Sequence, residues 1–284
     1  MRTVIPKTQV KNFQIPKMEI MGCGQLACPG CGASLALRYA LKALGRKTVL
    51  VMPTCYSGII GGPSTSSAID VPVFHAACET TASAAMGVRI SLASQGKTDF
   101  RVVAWAGDGG GGKIEFQSLS EAIERNENFI YVYLDNLIDS ITKARNPKTK
   151  ATKSLVETMV AHGIPYAATA TVAYPQDFVS KFKKAKRIKG TRLLHLFAPC
   201  PPVLKIPTNL SIKLSRLAVQ TRIFPLYEVE SEGKYNLSTM PEMLPVKEFL
   251  KPQGRFRHLT QKQMAVLQRR VRDGWEHLIK RAEA

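Results

Sequence analysis

The stretch Arg101-Val-Val-Ala-Trp-Ala-Gly-Asp-Gly-Gly-Gly-Gly112 joins a short apolar run to a run of glycines. The apolar run is typical of a buried strand, and the residues after the glycines, 114–125, have the apolar spacing of a helix. Glycines between a strand and a helix let the backbone approach a phosphate, and the helix N-terminus offers free N–H groups to it. We therefore expect a phosphate-binding turn directly after this strand.

The same alternation of strands and helices extends to both sides of this stretch. Strands are predicted at 48–52, 101–106, 129–134, 166–172 and 192–197, and helices at 33–44, 75–93, 114–125, 155–162 and 176–187. The alternation predicts an α/β fold, a parallel sheet with helices on both faces. Prolines then break the pattern before a charged helix at 260–282. We divide the chain into an N-terminal arm (1–20), an α/β domain (21–200) and a C-terminal extension (201–284).

The composition is that of a globular protein with an unusual charge. The chain has 284 residues, of which 45% are hydrophobic, and its net charge is +19. We expect a cytoplasmic protein without membrane contact, because it has neither an apolar run of spanning length nor a secretory signal. The positive charge favours an anionic partner: nucleic acid, an acidic protein or a phosphorylated small molecule. The alternative is a merely solvated surface.

Two polar residues follow neighbouring predicted strands. Asp108 would repel a bare phosphate, but it fits the site if Mg²⁺ lies between them. Asn136 ends the next strand, and adjacent parallel strands would place it beside Asp108. The sequence thus predicts a metal–diphosphate site with Gly107, Gly109 and Gly110. The alternative is a tight turn in which Asn136 caps a helix.

The pair Cys28-Pro-Gly-Cys31 is the second candidate site. Such a C-x-x-C spacing is typical of zinc and iron–sulfur sites, and a thioredoxin-like redox pair is the competing interpretation. Further candidate ligands stand at strand ends or in apolar runs: Cys55, Cys200, His75 and His195. The two histidines are expected to be packed residues. Cys23 and Cys78 are expected to be buried small hydrophobes.

Several segments together resemble the β subunit of 2-oxoacid:ferredoxin oxidoreductases, the pyruvate:ferredoxin oxidoreductase family. They begin with Cys28-Pro-Gly-Cys-Gly-Ala-Ser-Leu-Ala36 and Trp105-Ala-Gly-Asp-Gly-Gly110. The others are residues 118–126, 131–136, 194–201 and 223–228. They cover nearly the whole chain in the family's order.

The resemblance implies a thiamine diphosphate-binding fold of the pyrophosphate type, and it implies the site residues. Gly107–Gly110 and Asn136 would bind the diphosphate, and Asp108, Asn136 and the carbonyl of Ile138 would bind Mg²⁺. A proximal [4Fe–4S] cluster would be held by four cysteines: Cys28, Cys31, Cys55 and Cys200. The glutamate that activates the cofactor is expected in the pyrimidine domain of a partner α subunit.

The implied reaction is the coenzyme A-dependent oxidative decarboxylation of a 2-oxo acid, with electrons passed to ferredoxin. Other expected partners are γ and ferredoxin-like δ subunits, separate or fused. Residues 137–143 depart from the pyruvate-type pattern, and Ile141 replaces a second asparagine near the substrate. This departure favours a bulkier or aryl 2-oxo acid. Oxalate and a different electron acceptor are further alternatives.

Two other classes of protein compete with this interpretation. A non-oxidative thiamine diphosphate decarboxylase or synthase needs no cysteines. A zinc-containing nucleic-acid-binding protein would want a second close ligand pair and a base-stacking motif, so no nucleic-acid partner is expected. The basic segment 143–153 is expected to contact a subunit or the substrate gate, and the helix at 260–282 to steer ferredoxin.

Overall fold

An eight-stranded sheet forms the centre of the molecule. The computed structural model describes residues 15–54, 56–62, 67–107, 116–144, 154–230 and 233–284. The strands are β1 (Thr48–Pro53), β2 (Val73–Ala76), β3 (Arg101–Gly107), β4 (Ile130–Asp135), β5 (Tyr166–Thr171), β6 (Arg192–Phe197), β7 (Tyr227–Glu230) and β8 (Tyr235–Leu237). Their order across the sheet is β2-β1-β3-β4-β6-β5-β7-β8. The first six are parallel, whereas β7 and β8 are antiparallel to their neighbours.

Helices cover both faces of this sheet. They are α1 (Gly32–Leu44), α2 (Tyr56–Gly61), α3 (Thr81–Ser94), α4 (Phe116–Glu124), α5 (Ile138–Ala144), α6 (Leu155–Ala161), α7 (Pro175–Arg187), α8 (Pro201–Leu204), α9 (Ser211–Gln220), α10 (Val246–Leu250) and α11 (Gln261–Glu283). Thr260 starts α11 with a capping box, in which its hydroxyl accepts from the Gln263 N–H.

The core consists of two apolar layers divided by the sheet, and a third cluster. Side chains alternate along β3, so that Val103 and Trp105 join the layer of α1 and α7. Val102 and Ala104 join the opposite layer, with α3, α4, α6 and α11. The third cluster lies between the end of β6 and the C-terminal helices. These layers confirm the predicted α/β class with helices on both faces.

The structure differs from the sequence-based elements in three places. The helix predicted from residue 75 begins only at Thr81, because the β-branched and aromatic residues before it form the edge strand β2. The glycine-rich loop after β1 contains the short helix α2. Strands β7 and β8 come from the predicted extension, and the division at residue 200 stays a prediction.

Within the described ranges, no helix is long and apolar enough to cross a bilayer.

Candidate active site

Three parallel strands end side by side at one edge of the sheet. Gly107 is the last residue of β3 and pairs with Leu134 of β4. Asp135, the last residue of β4, pairs with Phe197 of β6. The three strands therefore end next to one another, at the side of a parallel sheet where ligands usually bind. Asp108, Gly109 and Gly110 were predicted to belong to this edge, but they lie outside the described residues.

Asp135 organises the turn that contains Asn136. Its Oδ1 accepts a hydrogen bond of 2.6 Å from the Leu137 N–H, and its backbone carbonyl accepts one of 2.9 Å from Ala198. Leu137 adopts a φ of 62°, an unfavourable value for a bulky residue. The side chain of Asp135 thus stabilises a strained turn. This role of Asp135 was not predicted from the sequence, although an aspartate two residues before a backbone N–H is the usual signal of such a turn.

His195 completes the support of this turn. Its Nε2 lies 3.1 Å from Oδ2 of Asp135, and its ring packs between Tyr133 and Phe224. The prediction that His195 is a packed residue is therefore confirmed. His75, which was also expected to be packed, is exposed on β2, which is the outermost strand of the sheet among the described residues.

The segment after Asn136 forms the helix α5. Ile138 begins this helix, and its carbonyl stays a predicted Mg²⁺ ligand. Ile141 is 2% exposed and belongs to the apolar cluster that includes Phe197 and Phe249. The isoleucine therefore packs in the core, and its side chain gives no support for a wider substrate pocket.

The C-x-x-C loop docks against the segment that follows β6. The Gly32 N–H donates a 3.0 Å hydrogen bond to the Pro199 carbonyl, and the Ser211 hydroxyl donates one of 2.6 Å to the Gly30 carbonyl. Gly30 has a φ of +74°, and a Cβ added there would lie 2.2 Å from the Thr208 carbonyl oxygen. The loop can approach this closely only because these positions are glycine. Cys28, Cys31 and Cys200 are thereby brought to one edge of the sheet.

The cysteine thiols themselves do not converge. The Cys31 Sγ caps α1 by accepting a 3.4 Å hydrogen bond from the Ser34 N–H, Cys28 is exposed, and Cys200 is half-buried. In the described part of the chain, no three cysteine, histidine or acidic side chains lie close enough to hold a metal ion. Cys55, the fourth predicted ligand, lies outside that part.

The two remaining cysteines were expected to be buried. Cys23 is instead exposed, and Cys78 is only half-buried. Cys23 stands in an irregular loop in which residues 22–26 are all exposed, so none of the described helices or strands covers its thiol. That prediction was wrong because a cysteine's usual preference for burial cannot indicate where the loop runs.

Comparison with known proteins connects this edge to a family. Residues 60–196 match the thiamine pyrophosphate enzyme C-terminal TPP-binding domain. Ketoisovalerate oxidoreductase subunit VorB of Pyrococcus furiosus is 42% identical over 98% of both chains. Pyruvate synthase subunit PorB of Methanothermobacter marburgensis is 38% identical over 91% of this chain and 97% of its own. The chain belongs to the family of 2-oxoacid:ferredoxin oxidoreductase β subunits.

Family membership confirms the resemblance found in the sequence, and it makes a zinc-containing nucleic-acid-binding protein the wrong alternative. A solved 2-oxoglutarate:ferredoxin oxidoreductase from Magnetococcus marinus has the same fold. It matches with a TM-score of 0.54 and 21% identity over 74% of this chain and 82% of its own. The thiamine diphosphate-binding fold expected for a 2-oxoacid:ferredoxin oxidoreductase β subunit is therefore confirmed.

Proposed function

We propose that this subunit binds the diphosphate end of thiamine diphosphate, with Mg²⁺, in a complex that oxidatively decarboxylates a 2-oxo acid. The observation that carries the proposal is the juxtaposition of two strand ends. Gly107 precedes the Asp108-Gly-Gly sequence, and it pairs with the β4 residue two positions before Asn136. The family's TPP-binding domain covers both strands.

The residues of this edge suit the diphosphate group. Backbone N–H groups of Gly107–Gly110 would face the phosphate oxygens, and Asp108, Asn136 and the Ile138 carbonyl would supply oxygen ligands to Mg²⁺. Asp135 is committed to the Leu137 N–H and His195, so it would hold Asn136 in place rather than bind the metal. Thiamine diphosphate, when bound, supplies the electron sink for decarboxylation.

The resemblance assigns an iron–sulfur cluster to this end of the sheet, although the thiols of Cys28, Cys31 and Cys200 do not converge in this structure. Cys28, Cys31, Cys55 and Cys200 form the proposed ligand set, since thiolates are the usual ligands of [4Fe–4S] clusters. The support is the docking of the C-x-x-C loop on Pro199 and Ser211.

Partner subunits would complete the enzyme. The activating glutamate and the pyrimidine-binding surface would come from an α subunit, and γ and ferredoxin-like δ subunits or domains would complete the complex. Coenzyme A would accept the acyl group. We propose a 2-oxo acid with an apolar side chain as substrate, because the relative at 42% identity is named for ketoisovalerate.

The test is an assay of the intact complex with coenzyme A and a panel of 2-oxo acids: ketoisovalerate, pyruvate, 2-oxoglutarate and phenylglyoxylate. Reduction of a low-potential dye measures turnover. We expect the highest kcat/KM with ketoisovalerate and no turnover by this chain alone. Equal or higher kcat/KM with 2-oxoglutarate would overturn the apolar substrate class. Dye reduction without any 2-oxo acid dependence would overturn the function itself.

A further inference from the structure

A cavity of about 390 Å³ lies between α10, the loop that follows it and the start of α11. Its size is within the range of small-molecule binding sites. The residues that line it follow the segment 60–196, which matches the TPP-binding domain. None of the described residues of the candidate active site lines it. The cavity is therefore a separate feature of the C-terminal region.

The floor of this cavity is apolar and already formed. Leu250, Phe256 and Leu259 are 4%, 4% and 9% exposed, and all three belong to the third core cluster. Two turns hold the loop between them, since the Gln253 N–H donates to the Leu250 carbonyl at 3.0 Å and the Leu259 N–H donates to the Phe256 carbonyl at 3.1 Å. The half-buried Met264 of α11 completes the lining. An apolar group could thus be covered here without refolding of the loop.

Three exposed cations line the same cavity: Lys247, Lys251 and Arg257. In the described part of the chain, none of them forms an ion pair, whereas Lys184 pairs with two glutamates. The Lys251 N–H donates to the Lys247 carbonyl at 2.8 Å, so the two lysines are four positions apart on one helical turn. Like charges at this spacing repel each other. A polyanion bound in the cavity would relieve that repulsion.

The surrounding sequence strengthens the positive potential. From residue 249 to 272 the chain has seven lysines and arginines but no aspartate or glutamate. Glu248 is the acidic residue among the described lining residues, and it is half-buried. The cavity therefore combines an apolar floor, three cations and one hydrogen-bond acceptor.

We propose that this cavity binds a nucleoside diphosphate. Lys247, Lys251 and Arg257 would bind the diphosphate oxygens, because hydrogen bonds between charged groups are the strong ones and arginine suits phosphate geometry. Glu248 would accept hydrogen bonds from the ribose hydroxyls, as acidic residues do in dinucleotide-binding sites. The base would pack on the apolar floor.

Other anionic ligands match fewer of these features. Inorganic phosphate or diphosphate would leave the apolar floor and Glu248 without a partner. A carboxylic acid with an apolar chain has too little charge for three cations. Coenzyme A is larger than the cavity, and in the proposed function its thiol must reach the acyl group at the active site. The inference does not rest on that function, because no residue of the proposed active site is used.

The experiment measures nucleotide binding to the intact complex by calorimetry, with coenzyme A at saturation so that its own site is filled. The probes are ADP, GDP and inorganic diphosphate. We expect ADP or GDP to bind once per copy of this chain, and inorganic diphosphate to bind at least about tenfold more weakly. Subunit composition is checked for every variant.

Two variants and a matched control assign the site. Lys247→Gln combined with Lys251→Gln should raise the Kd of the nucleotide by at least about tenfold. Glu248→Ala should raise that Kd about threefold or more without weakening diphosphate binding. The control combines Lys262→Gln with Arg269→Gln, two exposed cations that do not line the cavity, and it should change the Kd less than about twofold.

Four results would overturn the proposal. They are no binding of either nucleotide below about 1 mM, equal affinity for inorganic diphosphate, an equal effect of the control pair, and unaltered binding in the lysine variant. A raised KM for coenzyme A in the lysine variant would overturn it too, because the cavity would then belong to the coenzyme A site. A complex without 2-oxo acid oxidation that still binds the nucleotide would refute only the proposed function.

Discussion

Buried polar side chains form hydrogen bonds around the amino end of β6. Its carboxyl end instead leads into a loop that contains proposed cluster ligands. At the amino end, the Arg192 Nε donates to the Ala185 carbonyl at 3.1 Å, and the Thr191 hydroxyl lies 2.9 Å from the Ala122 carbonyl. At the carboxyl end, Cys200 is half-buried, and the carbonyl of the preceding Pro199 accepts a hydrogen bond from Gly32, which follows the loop of the exposed Cys28. Changes at the two ends should therefore have different consequences, stability at one and cofactor binding at the other.

The largest difference between the two ends should be seen in cofactor affinity, when each of the two aspartates that flank β3 is replaced. Asp108→Ala should lower the affinity for thiamine diphosphate in the assembled complex by more than about a hundredfold, because the diphosphate loses its metal bridge. Asp99→Ala removes an exposed carboxylate that pairs with Lys47 at the amino end, and it should leave cofactor binding unchanged. Cofactor content of the purified complexes measures both effects. Full occupancy in the Asp108 variant would exclude its proposed role.

Two cysteines provide the next comparison. Cys200→Ala should remove the [4Fe–4S] cluster, because three thiolates cannot complete its ligand set. Cys78→Ala should retain it, since Cys78 stands after β2 and outside the proposed set. Iron content and the absorbance near 400 nm of anaerobically purified complexes measure the difference. An intact cluster in the Cys200 variant would refute the ligand assignment, and Cys23 would be the first substitute to test.

A pair of glycines tests how tightly the amino end of β6 is packed. Both Gly190 and Gly163 have positive φ values, but a Cβ at Gly190 would lie 2.0 Å from Oδ1 of Asn126, whereas one at Gly163 meets nothing within 4 Å. Gly190→Ala should lower the free energy of unfolding by about 2–4 kcal/mol, through overpacking added to backbone strain. Gly163→Ala should cost about 1 kcal/mol. Denaturant unfolding gives both values, and equal losses would contradict the role of packing.

The same comparison can be made within the cysteine loop. Gly30→Ala should lower the free energy of unfolding by about 1–3 kcal/mol, because a Cβ there would meet the Thr208 carbonyl. It should also lower iron content, since the loop would move away from Pro199 and Cys200. Gly24→Ala is the control, because Gly24 also has a positive φ but has open space beside it. Equal iron content in the two variants would show that the docking of the loop does not matter for the cluster.

The smallest effect concerns the segment that enters this loop. A hydrogen bond from Arg38, with a second from Lys42, lowers the pKa of Glu19 to about 2. The stabilisation is present above the ordinary pKa of about 4.5 and is lost as the pH falls towards 2. Because Glu19 is 36% exposed, Glu19→Gln should cost less than about 1 kcal/mol at pH 7. The difference from the unaltered chain should shrink between pH 5 and 3, and a constant difference would contradict the ion pair.

Much of the fold was predictable because the buried strands are continuous apolar runs. β3, β4 and β6 are almost fully buried, and such runs indicate strands of a parallel sheet covered on both faces. The strand β7 was missed because only four residues, Tyr-Glu-Val-Glu, alternate between buried and half-buried positions. So short a pattern is not distinguishable from a loop until its partner β5 is known.

The sequence predicted the types of residue at the candidate site, but it did not predict the residues that hold them in place. The sequence indicated Asn136 because it follows a strand, and its part in a metal site stays a prediction. The role of Asp135 depends on a bent backbone at Leu137 and on His195 from β6, which lies 60 positions away in sequence. Contacts of this kind arise from strand order, which the local pattern does not contain.

The docking of the cysteine loop also bears on when a cluster could be inserted during folding. The hydrogen bond from Ser211 to Gly30 joins residues 181 positions apart, and closing so long a loop costs chain entropy. The C-x-x-C pair is synthesised first, but its binding surface exists only after β6 and α9 have folded. Cluster insertion would therefore be a late event, and the inserted cluster would act as a cross-link that fastens the first part of the sheet domain to the last.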